Sequence, residues 1–228
     1  MPSFKKKSYK KPMRKRSNGP VRPLIGWTNP KQELKYKNFA VGTSTQIVLS
    51  SLQSVCLNGI ATGTDINTRE GRQVMNSVLE FKGFIEPLSR LSTAVSDVHS
   101  IRVMIIMDRS SNNSPSFPLM GELLDLTTPP ISAYQQIMAP INLNNRNRFR
   151  ILLDKIYHVG SGGANGQFGQ RSHTLSYKIP LKVKTTYSDI TDSLGVIVNN
   201  RITMCWFGDD IFADTSCLYG TARLRFHE

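Results

Sequence analysis

From Glu33 onward the chain alternates apolar and polar positions with a period of two, in runs separated by turn-rich gaps. That pattern predicts strands with one buried face. Within 74–85 it assigns Met75, Leu79, Phe81 and Ile85 to one face, and Asn76, Glu80 and Lys82 to the other. In 173–184, Leu175, Tyr177, Ile179, Leu181 and Val183 alternate with Thr174, Ser176, Lys178, Pro180, Lys182 and Lys184. Pro180 removes a ladder donor and marks this run as an edge strand. Near the C-terminus, Leu218, Ala222, Leu224 and Phe226 oppose Tyr219, Thr221, Arg223 and Arg225.

Further strands are expected over 34–41, 46–57, 99–108, 148–159, around 195–197, and over 202–208, with short helices over 119–124 and 131–138. The gaps 110–118, 125–147, 160–170 and 185–200 are long for hairpins, so they predict Greek-key connections between strands distant in sequence. The expected fold class is all-β: a single eight-stranded jelly-roll β sandwich over 33–228. Alternation by itself does not separate this from an immunoglobulin-like sandwich.

Charge changes the picture at the N-terminus. Up to Lys37 there are twelve basic residues and one acid, Glu33, whereas the remainder carries seventeen basic and fifteen acidic residues. The first thirty residues also hold Pro2, Pro12, Pro20, Pro23, Pro30, Gly19 and Gly26. Such a segment buries too little apolar surface to offset its ordering entropy, which predicts a disordered arm over 1–32. Lys5, Lys6, Lys7, Lys10, Lys11, Arg14, Lys15, Arg16 and Arg22 have no acid among them, and clustered cations of this kind bind phosphates by releasing counterions. Phe4 and Tyr9 add rings that stack on unpaired bases. Trp27 is a candidate for base stacking or for packing against the sandwich. Lys35 and Lys37, on one face of the first strand, are candidates to extend the phosphate contacts or to form a solvated face. The clusters Lys5, Lys6, Lys7, Lys10, Lys11 and Arg14, Lys15, Arg16 also match the pattern of a nuclear localisation signal.

Other chemistry is sparse. Cys56, Cys205 and Cys217 are odd in number and without CxxC spacing, so neither a disulfide framework nor a zinc site is expected, and a reducing compartment is. The basic start has no apolar core behind it, and no run approaches the length of a membrane span, so neither secretion nor membrane insertion is expected. The 161–169 loop has the glycine density of a phosphate cradle but no GKS or GKT ending, and reads as a surface loop. Asp209, Asp210 and Asp214 lack calcium-loop spacing and read as an acidic turn. His99, His158, His173 and His227 show no ligand spacing, and no catalytic constellation appears. No metal, no cofactor and no enzymatic activity are expected.

The succession ELKYKNF, LNGIATGTDINTREGRQV, IRVMIIMDRSSNN and RFRILLDKIYHVG, behind the basic arm and spread over about residues 1–160, resembles the capsid proteins of circovirus-like circular single-stranded DNA viruses. Arg69, Glu70 and Gly71 correspond to a turn leading into the next strand, with Gly63 and Gly71 supplying turn conformations, and Asp108 with Arg109 closes a central strand. The arm departs from the group in being shorter and richer in lysine. The resemblance implies a jelly roll that self-assembles as a homo-oligomer, about sixty copies in the smallest icosahedral (T=1) shell. It also implies packaged single-stranded DNA, a host nuclear import receptor for the arm, an attachment receptor that no residue identifies, and location in the virion and in the host nucleus during assembly. Two alternatives remain at this stage: a small RNA virus coat protein of the same architecture, and a cellular β-sandwich binding protein with a basic tail.

Overall fold

The computed structural model describes residues 34–42, 52–87, 98–126, 133–160, 172–208 and 216–228, all within one unit, Gln32–Glu228. The strands are β1 (Lys35–Val41), β2 (Gln53–Cys56), β3 (Gln73–Pro87), β4 (Val98–Asp108), β5 (Phe149–Gly160), β6 (His173–Tyr187), β7 (Ile197–Asn199), β8 (Arg201–Gly208) and β9 (Ser216–His227). Two short helices, α1 (Met120–Leu123) and α2 (Ala133–Met138), lie between β4 and β5.

Pairing defines the architecture. β1 pairs with β9, β2 with β8, β3 with β6 and β4 with β5, every pair antiparallel. These pairs are nested in sequence, like one long hairpin folded at the β4–β5 connection. Pairing of β3 with β9 and of β4 with β8 rolls that hairpin into two sheets, ordered β1-β9-β3-β6-β7 and β2-β8-β4-β5. This is the expected jelly-roll sandwich, with a short ninth strand, β7, added beside β6.

The core between the sheets takes Leu79, Phe81 and Ile85 from β3, Leu175 and Leu181 from β6, Leu218, Ala222, Leu224 and Phe226 from β9, and Ile101, Val103, Ile105, Ile202, Met204 and Trp206 from the facing sheet. A second apolar cluster covers the other face of the four-stranded sheet: Met104, Ile106, Cys205 and Phe207 pack against Leu123, Leu124, Ile137 and Ala139. β4 and β8 are thus buried on both faces, which is why IRVMIIM and ITMCWF read as near-continuous apolar runs. Arg102 holds the cover in place. It makes a bidentate pair with Asp154 at 2.8 and 2.6 Å and donates to the Ile137 and Ala139 carbonyls at 2.8 and 2.6 Å.

Three expectations are corrected. Met75 faces outward, while Val74 and Asn76 are buried, because the β3 ladder slips between Asn76 and Val78 and reverses the alternation. β6 is not a terminal strand of its sheet, but β7 covers it only at Thr186 and Tyr187, so the ladder on that side stops short of Pro180. Gly63 and Gly71 are not among the positive-φ residues, which among the described residues are Gly42, Asn112, Asn113, Lys182 and Asn200. Gly63 is set instead by close packing on Thr68, and a Cβ at Gly71 would meet nothing nearer than 4.0 Å.

A cross-strand glycine pair makes room for one core ring. Gly83 lies opposite Gly220, and a Cβ on Gly220 would come within 2.6 Å of the Phe81 ring and 2.7 Å of the Lys82 carbonyl oxygen. Gly220→Ala is therefore expected to destabilise by about 1–3 kcal/mol through overpacking. Chemical denaturation checks this: the midpoint should fall with an unchanged slope, and an unshifted midpoint would mean that Phe81 has space to move.

All three cysteines are free thiols. Burial pushes Cys205 up to about 12 and also raises Cys56, so neither thiol ionises near neutral pH. Among the described residues no helix is long and apolar enough to cross a membrane.

Candidate nucleic-acid interface

Of the residues that the sequence nominates for phosphate or base contact, Lys5, Lys6, Lys7, Lys10, Lys11, Arg14, Lys15, Arg16, Arg22 and Trp27 lie outside the described residues. The 161–169 loop and the acidic turn at Asp209, Asp210 and Asp214 do too.

Lys35 and Lys37 are described, and each has an acidic partner. Lys35 is buried, with its Nζ 2.8 Å from Glu70 Oε1 and 4.0 Å from a Glu228 carboxylate oxygen. Lys37 Nζ donates to Asp192 Oδ2 at 2.8 Å and lies 5.6 Å from the Phe39 ring centre. The hydrogen bond from Lys37 holds the Asp192 carboxyl below the usual range. Alternation puts both lysines on the same side of β1 as buried Val41, where they tie the strand to the loops at 70 and 192. Phosphate would have to displace those carboxylates.

The segment after β2 is built around two buried polar side chains. Asn58 donates to the Asn200 carbonyl at 2.9 Å and to Thr185 Oγ1 at 3.2 Å, and accepts from the Ile202 amide at 2.8 Å. Arg69 donates to the carbonyls of Ile60, Gly71 and Asp189 and stacks 4.3 Å from the Tyr187 ring centre. Carbonyls and a ring, not a carboxylate, hold that cation, and burial lowers its pKa. The NGI and R-x-G motifs thus hold a loop against the sandwich.

Asp108, at the end of β4, is fully buried with Arg201 Nη2 at 3.2 Å and Arg148 Nη2 at 3.1 Å. Arg148 also reaches Glu122 at 2.8 Å, and Arg201 donates to the Ser114 carbonyl at 2.9 Å. The Asp108 hydrogen bond raises the pKa of Arg148. The cluster ties together the ends of β4, β5 and β8 and the α1 cover. Three histidines have single hydrogen-bond partners: His158 Nδ1 lies 3.0 Å from Ser100 Oγ, His173 Nε2 lies 2.7 Å from the His158 carbonyl, and His227 Nδ1 lies 2.9 Å from Ser77 Oγ. Among the described residues no group of three metal-ligating side chains occurs.

The outward face of the five-stranded sheet is where sequence reading missed the most. Register sets out its residues in rows. Tyr219 lies beside Phe84 and Thr174; Ala40 beside Thr221, Lys82 and Ser176; Asn38 beside Arg223, Glu80 and Lys178; and Tyr36 beside Arg225, Val78 and Pro180. The Phe84 and Tyr219 rings lie 5.0 Å apart, and Arg223 sits 4.8 Å from the Tyr36 ring centre while donating to Asn38 at 2.8 Å. A hydrogen bond with Cys217, then burial, holds the Tyr219 phenol up at about 12, so it stays neutral. The alternation of β9 alone shows its residues pointing away from the core, but not that β1, β3 and β6 lie alongside them.

No family model matches the chain, and no curated protein matches it in sequence. Among solved structures, a chain of Desmodium yellow mottle tymovirus aligns over 99% of this chain and 94% of its own length, at 9% sequence identity and a TM-score of 0.36. Strand pairing, not this likeness, defines the fold.

Proposed function

We propose that the chain is a viral coat protein whose jelly roll assembles into a closed shell and whose basic arm holds the packaged nucleic acid. The observation that carries the reading is the segregation of charge. Ten of the thirteen net positive charges lie in residues 1–32, ahead of a sandwich whose sequence carries only three. A soluble β-sandwich protein does not need a detachable polycation, whereas a container for a polyanion does. At about sixty copies per shell, the arms would bring roughly 600 positive charges inside, enough to neutralise part of a genome of a few thousand nucleotides.

Within this reading the cargo is single-stranded DNA, as the motif resemblance implies, and the clusters at Lys5 to Lys7 and Arg14 to Arg16 carry the protein to the host nucleus. Charge supports RNA cargo equally well, because phosphate contacts do not read the sugar. No catalytic step, metal or cofactor is assigned. The test is negative-stain microscopy of purified protein, followed by nuclease digestion of what copurifies. Uniform small shells containing DNase-sensitive nucleic acid are expected. RNase-sensitive contents would replace the DNA assignment, and a monomer or small oligomer under every assembly condition would overturn the coat-protein reading in favour of a β-sandwich binding protein.

A further inference from the structure

We infer that the outward face of the sheet β1-β9-β3-β6 is a second, structured binding surface for single-stranded nucleic acid, separate from the arm. The inference rests on the proposed function only in taking nucleic acid as the protein's cargo.

The two sheets differ in what lies over them. The four-stranded sheet is buried on its far side by the α1 and α2 segment. The corresponding side of the five-stranded sheet has no described element packed on it, and Phe84 stays 45% exposed there. Alternation and register place six cations on this side, Lys82, Lys178, Lys182, Lys184, Arg223 and Arg225, against two acids, Glu80 and Glu86. The sequence from Asn38 onward has only two more bases than acids, so this one face carries all of that excess and leaves the rest slightly acidic. The pattern is therefore not a uniform scatter of surface lysines.

These cations are available. Glu80 engages Arg225 at 3.4 Å and Lys178 at 3.8 Å, but Lys82, Lys182 and Lys184 have no carboxylate partner among the described residues. Arg223 spends only its Nε, on Asn38, which leaves its two terminal nitrogens for phosphate. Aromatic rings lie at two places along the charged face, with Lys182 and Lys184 beyond the Tyr36 row. Tyr219, beside Phe84, and Arg225, the register partner of Tyr36, are six residues apart along β9, roughly 20 Å at strand spacing, with Arg223 between them. Neutral rings set among free cations suit unpaired bases on a phosphate chain, because bases stack on rings while phosphates meet the cations. An acidic protein surface would use the cations but not the rings. A second copy would present the same positive face and be repelled.

The test uses full-length, dissociated subunits and a single-stranded oligonucleotide carrying 5-iodouracil. Photo-crosslinked adducts are mapped by mass spectrometry, and affinity is titrated against salt. Adducts on Tyr36, Phe84 or Tyr219 are expected alongside adducts in the arm. Replacing Lys82, Lys184 and Arg223 together by Gln should reduce the log–log salt slope by about 2, at about 0.7 per phosphate contact on a single strand. If the Arg223 change disturbs folding, Lys82→Gln with Lys184→Gln should still reduce it by about 1.4. Adducts confined to the arm, with unchanged slopes in both variants, would overturn the second surface while leaving the arm reading intact. Adducts on the face with none in the arm would support this inference and overturn the arm's assignment.

Discussion

Asp108→Ala is expected to destabilise the sandwich by about 3–5 kcal/mol, the usual cost of removing one partner from a buried ion pair. Asp108 and Arg201 are both fully buried, and Asp108 is the carboxylate that neutralises Arg201. Without it, Arg201 keeps the Ser114 carbonyl, while its Nε already lacks a hydrogen-bond partner in the described structure. Arg148 loses one of its two acids but is a third exposed and retains Glu122, so it contributes less to the loss. The melting temperature should drop by roughly 6–20 °C for a domain of this size. Replacing the pair with apolar side chains, Asp108→Leu with Arg201→Met, should recover much of that loss, since a dry core of similar volume does not have to desolvate charge. Calorimetry on the single and double variants checks both statements. A shift under about 2 °C for Asp108→Ala would mean that water reaches Arg201.

How much of this was legible in the sequence depends on whether the signal was local. The β6 and β9 alternations were, because each strand has one core face and one wet face, and Leu175, Leu181, Leu224 and Phe226 fall where the pattern puts them. β4 was legible as an apolar run, although its reason, a second cluster beneath α1 and α2, was not. The phase of β3 was misread at Met75, because a slipped ladder costs one residue and leaves no mark in composition. Lys35 and Lys37 look like free cations in sequence, since Glu70 and Asp192 are far from them along the chain. The basic face was invisible for the same reason: its rows join β1, β9, β3 and β6, whose neighbourhood is created by the rolled hairpin and not by sequence order.

Removing residues 1–32 should abolish most of the protein's affinity for single-stranded nucleic acid and most of its salt dependence. The arm up to Arg22 supplies nine cations, and Lys31 brings the total within residues 1–32 to ten. Nine or ten phosphate contacts predict a log–log slope of roughly −6 to −7 from the arm, which the sheet face steepens further, so affinity should fall at least several-thousand-fold between 50 and 200 mM salt. The truncated protein keeps β1, and with it Lys35 and Lys37 in their ion pairs, together with the outward face of the larger sheet. Its slope should be about −3 or shallower. The measurement is a fluorescence-anisotropy titration of a labelled oligonucleotide across a salt series, with dissociated subunits of both proteins. A steep slope that collapses on truncation is the predicted result. Equal affinities and equal slopes would contradict the claim that the basic arm holds the nucleic acid.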